Sequence, residues 1–150
     1  VVERGLRKLG FELLTVRLGA FPGDNPLTEV YALARRCSGG VIMGFEQYEI
    51  TKGTRKSGTR SEFRIYGKSV RIPSPWNQIE AGLLFGMRLP LLIFREEGVE
   101  GGIFAEGSSN TFVHPMPVPN MNGHQKEALN GVLLKWSAQA RQIYYNFDPR

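Results

Sequence analysis

A chain of 150 residues with 41% hydrophobic and 22% charged side chains has the composition of one ordinary globular domain, long enough to bury a core. Its formal charge of +5 favours anionic partners, while the want of any apolar run of bilayer-spanning length or of a secretory leader pattern speaks against membrane insertion and export. One cysteine, Cys37, forms no internal disulfide and no multi-cysteine zinc site, which fits a reducing compartment, the cytoplasm.

Residues 1–9 read as the tail of an amphipathic helix, with Val2, Leu6 and Leu9 on one side, ended by Gly10. Residues 11–18 alternate through Leu13, Val16 and Leu18 and predict a strand. A turn-rich stretch leads to a second helix: Asn25 caps it, Pro26 opens it, Glu29 sits in its first turn and Arg35 and Arg36 in its last, with Gly39 or Gly40 closing it. Residues 40–45, Gly-Val-Ile-Met-Gly-Phe, predict a strand whose lack of alternation suits a central place in a parallel sheet. From 46 to 73 the pattern dissolves into Gly, Thr, Ser and basic residues, with a weak strand-like echo at residues 63–66, and this stretch is expected to be a variable insertion. Lys52, Arg55, Lys56, Arg60, Arg64, Lys68 and Arg71 fall there with only Glu62 among them, either steering anions or keeping a loop solvated.

Ser74 can cap a third helix and Pro75 suits its first position; apolar spacing then carries it to Leu89, where Pro90 stops it. Residues 91–94 form a short unbroken apolar run, the mark of a strand covered on both faces. A glycine-rich stretch follows, anchored by Ile103 and Phe104. Residues 111–114 predict a last short strand, closed by Pro115, Pro117 and Pro119. Asn122 begins the terminal helix, with Ala128, Leu129, Val132, Leu133, Trp136, Ala140 and Ile143 as a wide apolar stripe. Helices alternating with strands define an α/β three-layer domain over 1–150, with a mainly parallel sheet and ligands at the carboxyl ends of its strands. Because such folds open on a strand and this chain opens inside a helix, the first strand is expected to be missing from this sequence.

On the third helix Glu80 stands four residues after Trp76 and three before Leu83, which puts an acid on the face of an indole and a leucine. Ser74-Pro75-Trp76-Asn77-Gln78-Ile79-Glu80, followed by a helix ending Leu89-Pro90 and an apolar strand, resembles the Ser-x-Trp-x-x-x-Glu signature of TIR domains that cleave NAD. The helix glutamate before a Gly-x-x-x-Pro apolar strand is also similar to nucleoside 2-deoxyribosyltransferases. The likeness spans residues 37–96, with Asn77 where the signature usually has cysteine. It implies a flavodoxin-like fold and cleavage or transfer at an N-glycosidic bond, in the manner of an NAD(P)+ glycohydrolase or nucleosidase. Glu80 would be the catalytic carboxylate, and Phe45, Tyr48, Ser74, Trp76, Asn77 and Arg95 would line the substrate pocket. NAD or a nucleoside is then substrate rather than cofactor, no metal is needed, and a homo-oligomer or an associated partner domain is expected. A module of the same fold that senses a nucleotide or binds a protein, without chemistry, is the alternative.

Each of these residues also has a plainer reading. Glu80 could pair with an arginine or cap a loop, Trp76 could be core, Ser74 and Asn77 are ordinary helix-start residues, and Phe45 and Tyr48 could pin a loop. His114 and His124 lack metal-ligand spacing, and Cys37 has no histidine partner nearby in sequence. Nucleic-acid binding through the segment from Lys52 to Arg71, with an affinity that falls steeply with salt and survives loss of Glu80, is a third reading, ranked last because the segment lacks the stacked aromatics of single-strand binders.

Overall fold

The computed structural model describes residues 1–15, 26–105, 107 and 112–146. The first helix, α1, is Val2–Lys8, and residues 11–15 after it have no regular structure, so the strand expected at 11–18 does not begin there; its remainder, with Asn25 and the turn before it, lies outside the described residues. Helix α2 is Pro26–Ala34 with Glu29 in its first turn, but it stops before Arg35 and Arg36, which occupy the turn beyond it rather than its last turn. Strand β1 is Gly40–Gly44.

Two further strands replace the insertion expected at 46–73: β2, Glu46–Arg55, and β3, Phe63–Pro73, pair antiparallel from Glu46↔Pro73 to Arg55↔Phe63. Their side chains are mostly exposed on both faces, so no alternation of polar and apolar residues marked them. The ladder is held by backbone bonds and by the turn, where Lys56 at φ 53° and Gly58 at φ 74° reverse the chain and the Glu62 carboxylate accepts from the Gly58 N–H at 2.8 Å.

Helix α3, Pro75–Gly86, starts as expected: the Ser74 hydroxyl accepts from the Trp76 N–H at 3.2 Å. It ends earlier than Leu89, in a Schellman-type turn in which Leu89 N–H donates to the Leu84 carbonyl and Arg88 N–H to that of Phe85. Arg88, not a glycine, takes the left-handed position at φ 58°. Strand β4, Leu91–Arg95, has four of its five residues buried. A turn of 3₁₀ helix at Gly102–Phe104 follows, then β5, Val113–Pro115, parallel to β4; Thr111 lies outside the described residues. The final helix, α4, is Gly123–Tyr145, capped by Asn122 in a reciprocal box with Gln125.

The main sheet has the order β1-β4-β5 and is parallel, with Gly40 N–H donating to the Pro90 carbonyl and Glu96 N–H to that of Gly44. Among the described residues β4, not β1, is therefore the central strand. Its first four residues are buried in succession, whereas β1 has only Ile42 and Gly44 buried and the rest half-buried. Among the described residues the fold is α/β, with this three-stranded sheet, the antiparallel pair β2–β3 and four α-helices.

The chain gathers into two compact units. One comprises Val1–Ile42, Glu80–Leu92 and Pro117–Arg150, the other Met43–Ile79 and Ile93–Met116. In the first, Val2, Leu6, Leu84, Leu91, Leu133, Trp136 and Ala140 are buried; the Trp136 indole N–H donates to the Pro90 carbonyl at 3.0 Å and its ring lies 5.2 Å from that of Phe11. Ala128, expected on the buried stripe of α4, is exposed, and Leu129, Val132 and Ile143 are half-buried. In the second, Ile65, Ile93, Phe94, Val99 and Phe104 are buried. There Gly44 is required by close approach, because a Cβ on it would strike the Phe104 ring.

Candidate functional site around the first turns of the central helix

Glu80 is half-buried on α3, and its carboxyl makes no hydrogen bond or ion pair with any described residue. Desolvation raises its carboxyl above the ordinary value. Glu80 lies in the second turn of α3, where the influence of the helix dipole has faded, and burial dominates. Among the described residues Glu80 neither pairs with an arginine nor caps a loop.

The other candidates belong to the second unit. Ser74 is occupied as the α3 cap; Trp76 and Asn77 are half-buried on its first turn, so the indole is not fully committed to a core. Phe45, just beyond β1, and Tyr48, on β2, are 52% and 58% exposed. Arg95 is placed differently from the expectation of a substrate ligand. Its guanidinium donates to the Phe104 carbonyl at 2.6 Å and reaches that of Val99 at 3.5 Å, so it closes the loop after β4 on itself.

Sequence reasoning passed over Gln78, which the structure makes the latch of the glycine-rich loop. Its side-chain oxygen accepts from the Ile103 N–H at 2.8 Å and its amide nitrogen donates to the Gly101 carbonyl at 3.4 Å. Gly101 at φ 97° and Gly102 at φ 54° allow that approach, and a Cβ on Gly102 would collide with the Gln78 carboxamide. The available sign was an amide next to the motif's Asn77 and a loop with spaced glycines, but the pairing spans about two dozen residues of chain. Arg71 was also read only as part of the basic run. It forms ion pairs with Glu46 at 3.0 Å and Glu49 at 3.8 Å and donates to the Glu97 carbonyl at 3.3 Å, while its own carbonyl accepts from the Glu100 N–H at 3.1 Å. Its charge is therefore matched locally.

The Cys37 thiol is raised by burial, with the nearby Arg36 opposing, and it donates to the Leu33 carbonyl at 3.3 Å, an unreactive setting. His114 stacks obliquely on Phe94 at 5.8 Å. Among the described residues no group of three or more His, Cys, Asp and Glu side chains could hold a metal ion, and no helix is long and apolar enough to cross a membrane. No protein-family model, curated protein or solved structure matches the chain.

Proposed function

We propose that the protein is a nucleotide-processing domain that cleaves or transfers at an N-glycosidic bond, with Glu80 as its carboxylate. One observation carries this reading: a half-buried carboxyl with no partner among the described residues, destabilised in its charged form. Such a group is costly to keep without a task, and perturbed carboxyls concentrate where chemistry needs them. As the bond between sugar and base lengthens, positive charge builds on the anomeric carbon, and a desolvated carboxylate there stabilises that cation or traps it covalently until water or a second base attacks. In this reading NAD or a nucleoside is the substrate, with the contacts that the resemblance implies at Phe45, Tyr48, Ser74, Trp76 and Asn77, while Arg95 and Gln78 shape the 96–103 loop. The flavodoxin-like class, a cytoplasmic setting and assembly into homo-oligomers or with a partner domain belong to the same proposal.

A second reading, a nucleotide sensor without chemistry, is favoured by Asn77 standing where the resembled signature has cysteine and by the engagement of Arg95 with main-chain carbonyls. The test is chromatography for released base after incubation with NAD, NADP and a panel of nucleosides. The enzyme reading expects release from at least one substrate and a loss of about 10²- to 10⁴-fold in Glu80→Gln with ligand affinity kept. A protein that binds a nucleotide, releases no base and is indifferent to Glu80→Gln is a sensor.

A further inference from the structure

The cations that looked like a solvated loop are set out along a two-stranded ribbon. Between residues 46 and 73 the chain has seven basic side chains and three carboxylates. Two of those carboxylates, Glu46 and Glu49, pair with Arg71, and Glu62 is 3.8 Å from Arg64, whose side chain is 84% exposed. Lys52, Arg55, Lys56, Arg60 and Lys68 have no ion-pair partner among the described residues. Far more positive charge is presented than is neutralised.

The register sorts this charge by face. Lys52 pairs with Tyr66 and Thr54 with Arg64; directly opposed residues share a face and so do residues two apart on one strand, so Lys52, Thr54, Arg64 and Tyr66 form one patch. The opposite face carries Gly53 and the buried Ile65, and at the ribbon's end Arg55 opposite Phe63. Tyr66 is 85% exposed and Phe63 61%. An aromatic ring left almost wholly in water, with a cation across the ladder and another two residues along, offers a platform for a flat, negatively charged group.

We infer that the β2–β3 ribbon binds single-stranded nucleic acid, with an unpaired base stacked on Tyr66 and the backbone phosphates on Lys52, Arg64 and the turn cations Lys56 and Arg60. The residues alone rank nucleic acid last among the readings of this segment. That ranking rested on a loop without organised aromatics, and the ladder sets one of them, Tyr66, on the face of Lys52 and Arg64. An acidic peptide would satisfy the cations but leave the exposed ring unused, whereas an anionic membrane also seats tyrosine at its interface and is separated by the vesicle comparison below. Base stacking on an aromatic flanked by phosphate-binding cations uses both. The inference is independent of any chemistry at Glu80.

The test is fluorescence anisotropy with a labelled oligothymidylate of about fifteen nucleotides, on the whole chain, across a range of salt. Affinity should fall with salt, and the joint variant Lys52→Ala with Arg64→Ala should flatten the slope of log K against log salt by about 1.4, the share of two phosphates on a single strand. Tyr66→Ala should weaken binding about 5- to 150-fold, the worth of one stacked base, and Tyr66→Phe should keep it within about twofold. Glu80→Gln should bind as well as the parent. Circular dichroism shows whether each variant is folded, and were Tyr66→Ala to misfold, the slope change would still decide. Unchanged affinity in Tyr66→Ala and an unchanged slope in the double variant would overturn the inference. So would equal binding to heparin or to phosphatidylserine vesicles with Tyr66 irrelevant, which would make the ribbon a general polyanion surface.

Discussion

Removing the Gln78 side chain should release the glycine-rich loop, and the cost can be worked from the bonds it makes. Gln78→Ala leaves the half-buried Ile103 N–H without its 2.8 Å partner, about 1–2 kcal/mol, whereas the exposed 3.4 Å bond to the Gly101 carbonyl contributes only a few tenths. Gly102→Ala places an alanine at φ 54°, about 1 kcal/mol of backbone strain, and its methyl group must also displace the Gln78 carboxamide, breaking the same two bonds. That variant should therefore cost about 2–3 kcal/mol. In the double variant the collision no longer exists and the bonds are already gone, so its total should again be about 2–3 kcal/mol, leaving a coupling of about 1–2 kcal/mol between the two sites. Urea unfolding of the four proteins measures the cycle, and hydrogen exchange at the Ile103 amide should show the same loss of protection in all three variants. Costs that add to within about 0.5 kcal/mol would mean that the latch is not a working contact.

Glu80→Gln should also report on burial through pH. Because the folded carboxyl titrates above its ordinary value, the folded state prefers the proton; the favourable contribution is full below the unfolded value, about pH 4, and is lost as pH rises through the folded value. Glutamine cannot ionise, so the variant should be more stable than the parent at neutral pH, with the gain fading towards pH 4; a difference in melting temperature that is constant from pH 4 to 8, or largest at acid pH, would contradict the desolvation. In the first unit, Trp136→Phe removes the indole donor from the Pro90 carbonyl, but Gly40 N–H still donates to that oxygen at 3.0 Å, so no buried acceptor is stranded. The loss should be about 2–3 kcal/mol, about 1 from the hydrogen bond and the rest from ring area, read by chemical unfolding; a cost below about 0.5 kcal/mol would place the indole outside the core.

The helices and the apolar strand were legible because their signals are local. Ser74 and Pro75 at the start of α3, Asn122 and Gln125 at the start of α4, and the run Leu91 to Phe94 each act through neighbours within four residues or through uninterrupted burial. Glu80 was legible for the same reason, since helical spacing sets its face and its misfit with apolar neighbours. The ribbon was not. A strand exposed on both faces carries no alternation, and what defines it, the ladder from Glu46↔Pro73 to Arg55↔Phe63, is a set of backbone bonds that any side chains can accompany. The sequence by itself thus determined the α/β alternation, the helix starts and one carboxylate out of place. Only the tertiary structure decided that Gln78 holds the Gly101 to Ile103 backbone, that Arg95 serves the loop after its own strand, and that Tyr66 shares a face with Lys52 and Arg64. Capping and periodicity are energies of adjacent residues, whereas a latch and a shared face exist only once the chain has closed its turns and fixed its register.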